Sequence, residues 1–124
     1  MIHDGFSEFI SVAAYISTST GTVYIQPGAS TTPTSGNAET LITRRLTGST
    51  TNGRFGAAIG FSDVNGDGYI DFLTSANILS SNNGVAYIFI NNKTNSYFTG
   101  NFANDAGTII TNPNAWRLGY NIGY

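Results

Sequence analysis

The chain has 124 residues, a formal net charge of −2 and no cysteine, and only 10% of its residues are charged. This length is sufficient for one ordinary domain with a buried core. The composition excludes a disulfide framework and thiol chemistry, and it offers no basic patch for binding nucleic acid or an anionic membrane. This polar, lysine-poor composition favours the assignment of the chain to an extracellular or cell-surface protein.

The N-terminal sequence MIHDGFSEFI has no basic region followed by an apolar run, so no signal peptide is predicted. No apolar stretch approaches transmembrane length, so no membrane insertion is expected. If the parent protein is secreted, this chain is expected to be a mature portion or an engineered piece of it.

Four short strands are predicted in each half of the chain. In chain order the first half contains FISVAAYI (9–16), GTVYIQ (21–26), ETLITRRL (39–46) and RFGAAIGF (54–61). The second half contains FLTSANIL (72–79), GVAYIFI (84–90), GTIIT (107–111) and RLGYNIGY (117–124). The mostly apolar runs 9–16 and 72–79 predict strands that are buried on both faces. No segment has a sustained helical period with caps, so almost no helix is expected.

An internal repeat relates the two halves. Residues 4–25 align with 67–88 without a gap, at an offset of 63 residues, and the same offset aligns 54–61 with 117–124. The identical positions in the first alignment are Asp4, Gly5, Phe9, Ala13, Ser17, Gly21, Tyr24 and Ile25. The chain is therefore predicted to contain two units, 1–63 and 64–124, the second ending in the first strand of a next unit.

Four strands in about sixty residues are typical of a β-propeller blade. The predicted fold is all-β, with two four-stranded antiparallel blades. Propellers close with about four to eight blades, so two blades are expected to be a fragment of a larger propeller or a self-associating subunit. In a head-to-tail ring of copies, the last strand of one copy would complete the first blade of the next.

The segment Asp63–Asp71, DVNGDGYID, contains three of the seven acidic residues. Calcium takes six to eight oxygen ligands at about 2.3–2.6 Å. The side chains of Asp63, Asn65 and Asp67 can converge if the backbone curls around an ion. The backbone carbonyl of Tyr69 would add a further oxygen, and the carboxylate of Asp71 would close the loop.

Three structures are compatible with this segment: a solvated turn, a metal cage and a catalytic carboxylate pair. Asn-Gly and Asp-Gly are favoured in plain turns. No Lys or Arg lies near these aspartates in the sequence, so an empty loop would suffer charge repulsion, and this favours the cage. An EF-hand loop would need an acid at its twelfth position, which is Thr74. A catalytic pair would need acids across a cleft, and the single histidine, His3, gives no triad, so the chain is not expected to be an enzyme.

The sequence RFGAAIGFSDVNGDGYIDFLTSA (54–76) resembles the FG-GAP repeat, the blade unit of integrin α-subunit propellers and of many bacterial surface proteins. Phe55 and Gly56 match the "FG", and Gly60 matches the later glycine, although the "GAP" tripeptide is absent. The resemblance implies that the loop binds Ca²⁺ in a hairpin between the first and second strands of a blade.

The first unit retains only part of this loop. Asp4 and Glu8 match Asp67 and Asp71, but Met1, Ile2 and His3 occupy the earlier positions. Such a half cage is expected to bind calcium weakly or not at all, unless a neighbouring chain contributes oxygens.

Two further groups of residues are assigned structural roles. Arg54 and Arg117 occupy equivalent positions and are expected to pair with a carboxylate or a carbonyl. The aromatic residues of the predicted strands are expected to pack between blades; they are Phe9, Tyr15, Tyr24, Phe55, Phe61, Phe72, Tyr87 and Phe89.

The leading functional hypothesis is a non-enzymatic, calcium-binding blade pair of an integrin-like surface protein, with a structural or adhesive role and a protein ligand at its surface. The alternative is an accessory propeller part of a secreted hydrolase or phospholipase whose catalytic domain lies outside this chain. A third hypothesis is a purely structural fragment.

Overall fold

The structure, a computed structural model, describes residues 9–26, 28, 35–37, 42, 44–78, 83–94, 98, 100, 102–111, 113–114 and 118–119. The prediction of an all-β fold is confirmed, because these residues form two antiparallel sheets. Their helical content is one four-residue segment, α1 (Ile16–Ser19), and one 3-10 turn, Ala103–Asp105. Within these ranges no helix has the length and apolar character needed to span a membrane.

The two sheets follow one another along the chain. The first sheet has the order β1-β2-β3, and the second has the order β4-β5-β6-β7. The strands are β1 (Phe9–Ala13), β2 (Thr22–Gln26), β3 (Arg44–Thr47), β4 (Phe55–Ser62), β5 (Asp71–Ala76), β6 (Val85–Phe89) and β7 (Thr108–Thr111). Of the predicted strands 39–46 and 117–124, residues 39–41, 43, 117 and 120–124 lie outside the described residues.

The register of the sheets repeats with the sequence. Phe9 lies opposite Gln26 in the β1–β2 pair, and Phe72 lies opposite Phe89 in the β5–β6 pair. Both residues of the second pair come 63 positions after their counterparts in the first. Strands β1, β2 and β3 therefore correspond to β5, β6 and β7. All four strands predicted in the first half are present as β1 to β4, but β4 pairs with β5 and belongs to the second sheet. The predicted four-stranded sheet is therefore observed once, and the first sheet has three strands among the described residues.

The predicted burial of the two apolar strands is correct for one of them. In β5 the side chains of five of the six residues are buried, whereas in β1 Phe9 is 61% and Val12 41% exposed. The difference arises because β4 lies beside β5, while no described strand lies on the equivalent edge of β1. Tyr15, just after β1, is also exposed, so two of the eight aromatic residues that were expected to pack, Phe9 and Tyr15, are exposed instead.

The hydrophobic core lies between the sheets and is dominated by aromatic residues. The ring of Phe55 meets the rings of Tyr87 and Phe89 edge-on, at centroid distances of 5.4 and 6.2 Å. The ring of Phe98, which the strand predictions did not include, lies 5.9 Å from that of Phe72. The buried core residues are Val23, Ile25, Leu46, Phe55, Phe72, Ala76, Val85, Tyr87, Phe89, Phe98 and Ala103. Removing this apolar area from water is the main favourable contribution to the fold.

Arg44 links the two sheets. Its guanidinium donates hydrogen bonds to the carbonyl oxygens of Gly100 (2.7 Å) and Phe98 (2.5 Å). Burial lowers the pKa of Arg44 below its ordinary value, and the nearby carboxylate of Asp105 acts in the opposite direction. The third strand of the first sheet is thus tied to the segment that leads into β7.

The backbone contact that joins the first sheet to β4 recurs after the second sheet. The N–H of Phe55 donates to the carbonyl of Thr20 (3.1 Å), and 63 residues later the N–H of Leu118 donates to the carbonyl of Asn83 (2.6 Å). Gly56 (φ +90°) packs against Val12, and its counterpart Gly119 (φ +78°) packs against Ser75, the counterpart of Val12. Leu118 and Gly119 therefore lie against the second sheet as the beginning of β4 lies against the first.

Candidate metal loop

The candidate site is the loop 63–70, which connects β4 to β5. These strands are antiparallel neighbours, and the pair Ser62–Asp71 closes the hairpin at the base of the loop. The predicted position, a hairpin between two adjacent strands, is therefore observed. A Cβ atom at Gly66 or Gly68 would meet no other atom within 4 Å, so the tip of the loop is open.

Asp63 organises the curl of the backbone. Its Oδ1 accepts hydrogen bonds from the N–H groups of Gly66 (2.7 Å) and Asp67 (3.0 Å), and its Oδ2 accepts one from Gly68 (2.8 Å). Gly66 and Gly68 have φ values of +74° and +87°, a left-handed conformation that glycine adopts without steric cost. The two glycines therefore allow successive N–H groups to point at one carboxylate.

Asp67 lies at the tip of the loop. Its Oδ1 accepts a hydrogen bond from the Tyr69 N–H (2.9 Å), and its Oδ2 accepts one from Asn65 Nδ2 (3.2 Å). The Tyr69 N–H is the main cause that lowers the pKa of Asp67 below its ordinary value, and Lys93 and Asn65 act in the same direction. The predicted role of the Tyr69 carbonyl oxygen as a calcium ligand stays a prediction.

Lys93 supplies a positive charge to this loop. Its ammonium lies 3.1 Å from Asp67 Oδ2 and 5.1 Å from the centre of the Tyr69 ring. The expectation that no Lys or Arg accompanies these aspartates is therefore wrong. Lys93 belongs to the loop after β6, far from Asp67 in the chain, and no local sequence signal indicates this contact.

Asp71 ties this later loop to the base of the hairpin. Its side chain is fully buried. Its Oδ2 accepts a hydrogen bond from the Val64 N–H (2.9 Å), and its Oδ1 accepts one from the Asn91 N–H (2.9 Å). Asn91 also donates through Nδ2 to the carbonyl of Ile70 (3.1 Å), and through Oδ1 it accepts the N–H of Lys93 (2.9 Å). Asp71 and Asn91 thereby position Lys93 beside the loop.

The donor set of the loop suits calcium in its chemistry, since carboxylate, amide and carbonyl oxygens are the ligands that this hard cation prefers. A cation, the ammonium of Lys93, already lies at Asp67. Within the described residues, however, no group of three or more Asp, Glu, His or Cys side chains is close enough together to hold a metal ion. Binding calcium would therefore require the carboxylates of Asp63, Asp67 and Asp71 to converge more closely than they do here.

The remaining predicted residues are placed as follows. Asp4, Glu8 and Arg117 lie outside the described residues. The guanidinium of Arg54 lies 4.7 Å from the centre of the Tyr15 ring, a cation–π contact in place of the predicted carboxylate or carbonyl partner.

Comparison of the chain with protein-family models and with curated proteins finds no match. The loop, the two sheets and the junction between them are therefore the features of this chain that bear on its function.

Proposed function

We propose that this chain is a calcium-binding pair of β-propeller blades from an integrin-like surface protein, with a structural and adhesive role. The observation that carries this proposal is the loop 63–70. It is a glycine-assisted curl of oxygen donors at the tip of the hairpin formed by the first two strands of a four-stranded antiparallel sheet. An extracellular or cell-surface location and a protein ligand at the surface belong to the same proposal.

The residues that would hold the ion are Asp63, Asn65, Asp67, the backbone carbonyl of Tyr69, and Asp71. Calcium bound there would neutralise the carboxylates and rigidify the tip of the hairpin. All the proposed ligands belong to one loop or its base, so the ion would serve structure rather than a reaction.

The proposal that each unit is a blade is supported by the repeated architecture. Strands β4 to β7 pair in chain order as a four-stranded meander, which is the topology of a blade. The junction at Phe55 and its counterpart at Leu118 have the same backbone hydrogen bond. Further units of the same repeat would then follow, either as the remaining blades of a larger propeller or as copies in a head-to-tail ring.

A calcium titration followed by thermal unfolding tests the metal-binding part. At about hundredfold excess over Kd, the melting temperature is expected to rise by on the order of 10 °C. Asp67→Ala is expected to abolish this rise, while Asn104→Ala, an exposed change outside the loop, should leave it intact. Equal melting temperatures in calcium and in chelator would refute the proposal.

A further inference from the structure

We propose that the outer edge of β1 is a docking site for the C-terminal segment of a second copy of this chain, residues 118–124. This inference rests on the proposed function only in treating the two units as blades, and it does not require calcium. It specifies the interface by strand, register and residue.

The first observation is a difference between equivalent residues. Phe9 is 61% exposed, whereas its counterpart Phe72 is fully buried. Phe72 is covered in part by Phe61 of β4, at a ring-centroid distance of 5.6 Å. The exposed apolar edge of β1 thus corresponds to the surface that β4 covers in the second sheet.

The edge of β1 also offers backbone groups to a further strand. Its residues pair with β2 on one side, and no described strand pairs with them on the other. An open edge of this kind accepts an added strand through main-chain hydrogen bonds. An apolar side chain at the right register would in addition cover Phe9.

The second observation identifies the occupant. Residues 118–124 (LGYNIGY) align with 55–61 (FGAAIGF) of β4 at the repeat offset. Leu118 contacts Asn83, in the turn before β6, and Gly119 contacts Ser75 of β5, as Phe55 and Gly56 contact the equivalent residues Thr20 and Val12. The segment therefore begins where the first strand of a following unit would begin. A second copy supplies that following unit, because its β1 has the edge on which such a strand would pair.

The register follows from the β4–β5 pair. Phe61 lies opposite Phe72, and Ile59 lies opposite Thr74. Applying the repeat offset places Tyr124 of one copy opposite Phe9 of the next, and Ile122 opposite Ser11. Tyr124 would then cover Phe9 as Phe61 covers Phe72. Such a contact is heterologous and closes into a ring when the rotation between copies fits.

Engineered cysteines test this register directly, because the chain has no cysteine of its own. Ser11→Cys and Ile122→Cys are prepared as separate proteins, one of them with a mass tag, and are mixed and oxidised. A disulfide between the two different proteins is the expected result. Each variant alone should not cross-link to itself, and Ser11→Cys mixed with Asn104→Cys, at an exposed position outside the candidate metal loop, serves as the matched control.

Two outcomes would overturn the inference. One is a mixture that yields no more cross-linked product than the control while both variants keep the wild-type circular dichroism spectrum. The other concerns a double variant that carries both Ser11→Cys and Ile122→Cys. A disulfide within single chains of this variant would mean that the chain's own C-terminal segment covers β1. If the variants fail to fold, the mass of the wild-type chain is measured by light scattering. A folded monomer at all concentrations contradicts the proposal. If the wild-type chain is a multimer, Phe9→Ala is expected to weaken its association.

The cross-linking is carried out in chelator and again in calcium. Cross-linking in both conditions, with no calcium binding, would refute the metal site and leave the docking site standing. Calcium binding without cross-linking would refute the docking site and leave the metal site standing.

Discussion

The ammonium of Lys93 lies 3.1 Å from Oδ2 of Asp67 and 5.1 Å from the centre of the Tyr69 ring, so the loop between β4 and β5 carries a cation from its own chain. Lys93 has φ +62° and is held by the side chain of Asn91, whose backbone N–H is bound by Asp71. The buried base of the hairpin and its exposed tip are therefore connected through a second loop. This connection has consequences for calcium binding and for stability without calcium.

Replacing Lys93 should strengthen calcium binding. The ammonium occupies one oxygen of Asp67, and a calcium ion would have to displace it. Because Lys93 is about half exposed, at 49%, the ion pair is weak, and Lys93→Gln is expected to raise the affinity by only about two- to fivefold. Isothermal titration calorimetry measures the change. Lys93→Arg, which keeps the charge, is the control, and a lower affinity in Lys93→Gln would show that Lys93 assists binding instead.

Asp71 should stabilise the fold even in chelator. Both of its oxygens accept backbone N–H groups from different segments, and an amide would turn its NH₂ toward one of them. Asp71→Asn is therefore expected to lower the free energy of unfolding by about 1–3 kcal/mol. Urea unfolding without calcium gives the value. Asn65→Ala, in the exposed part of the same loop, should change it far less, and equal effects of the two substitutions would contradict the structural role of Asp71.

The equivalent residues Phe72 and Phe9 should respond differently to truncation. Phe72→Ala removes a fully buried ring and is expected to cost about 3–5 kcal/mol. Phe9→Ala removes a ring that is largely exposed and should change the stability of the isolated chain by less than about 0.5 kcal/mol. Urea unfolding at low protein concentration compares them. A large cost for Phe9→Ala under those conditions would mean that another part of the same chain covers this ring.

Replacing Arg44 by alanine or by lysine should lower the stability of the fold. The planar guanidinium donates to two carbonyl oxygens at once, and a lysine ammonium has no equivalent fork. Hydrogen bonds from a charged group contribute about 1.5–3 kcal/mol, so Arg44→Ala is expected to destabilise the chain by at least this amount, and Arg44→Lys by a substantial part of it. Thermal unfolding is the measurement. Arg45→Ala, at the exposed neighbouring position, is the matched control and should have a small effect.

The sequence by itself determined the strands, the repeat and the candidate loop. Apolar runs and glycine-marked turns are local signals, so the predicted bounds of β2, β4, β6 and β7 lie within one residue of the observed ones. The offset of 63 residues found in the sequence recurs in the register of the β1–β2 and β5–β6 pairs, because residues in equivalent sequence positions make equivalent backbone pairs. The positive φ values of the loop DVNGDGYID fall on its two glycines, because glycine adopts that conformation without steric cost.

Only the tertiary structure decided whether two residues at matching positions of the repeat have the same surroundings. Phe9 and Phe72 have the same sequence context, yet one is exposed and the other buried, because burial depends on the strand that lies alongside. Lys93 reaches Asp67, and Asn91 reaches Asp71, because β6 returns beside β5 and brings its following loop to the hairpin. Contacts between segments distant in the chain are set by strand pairing and packing, and no local pattern around Asp63–Asp71 contains them.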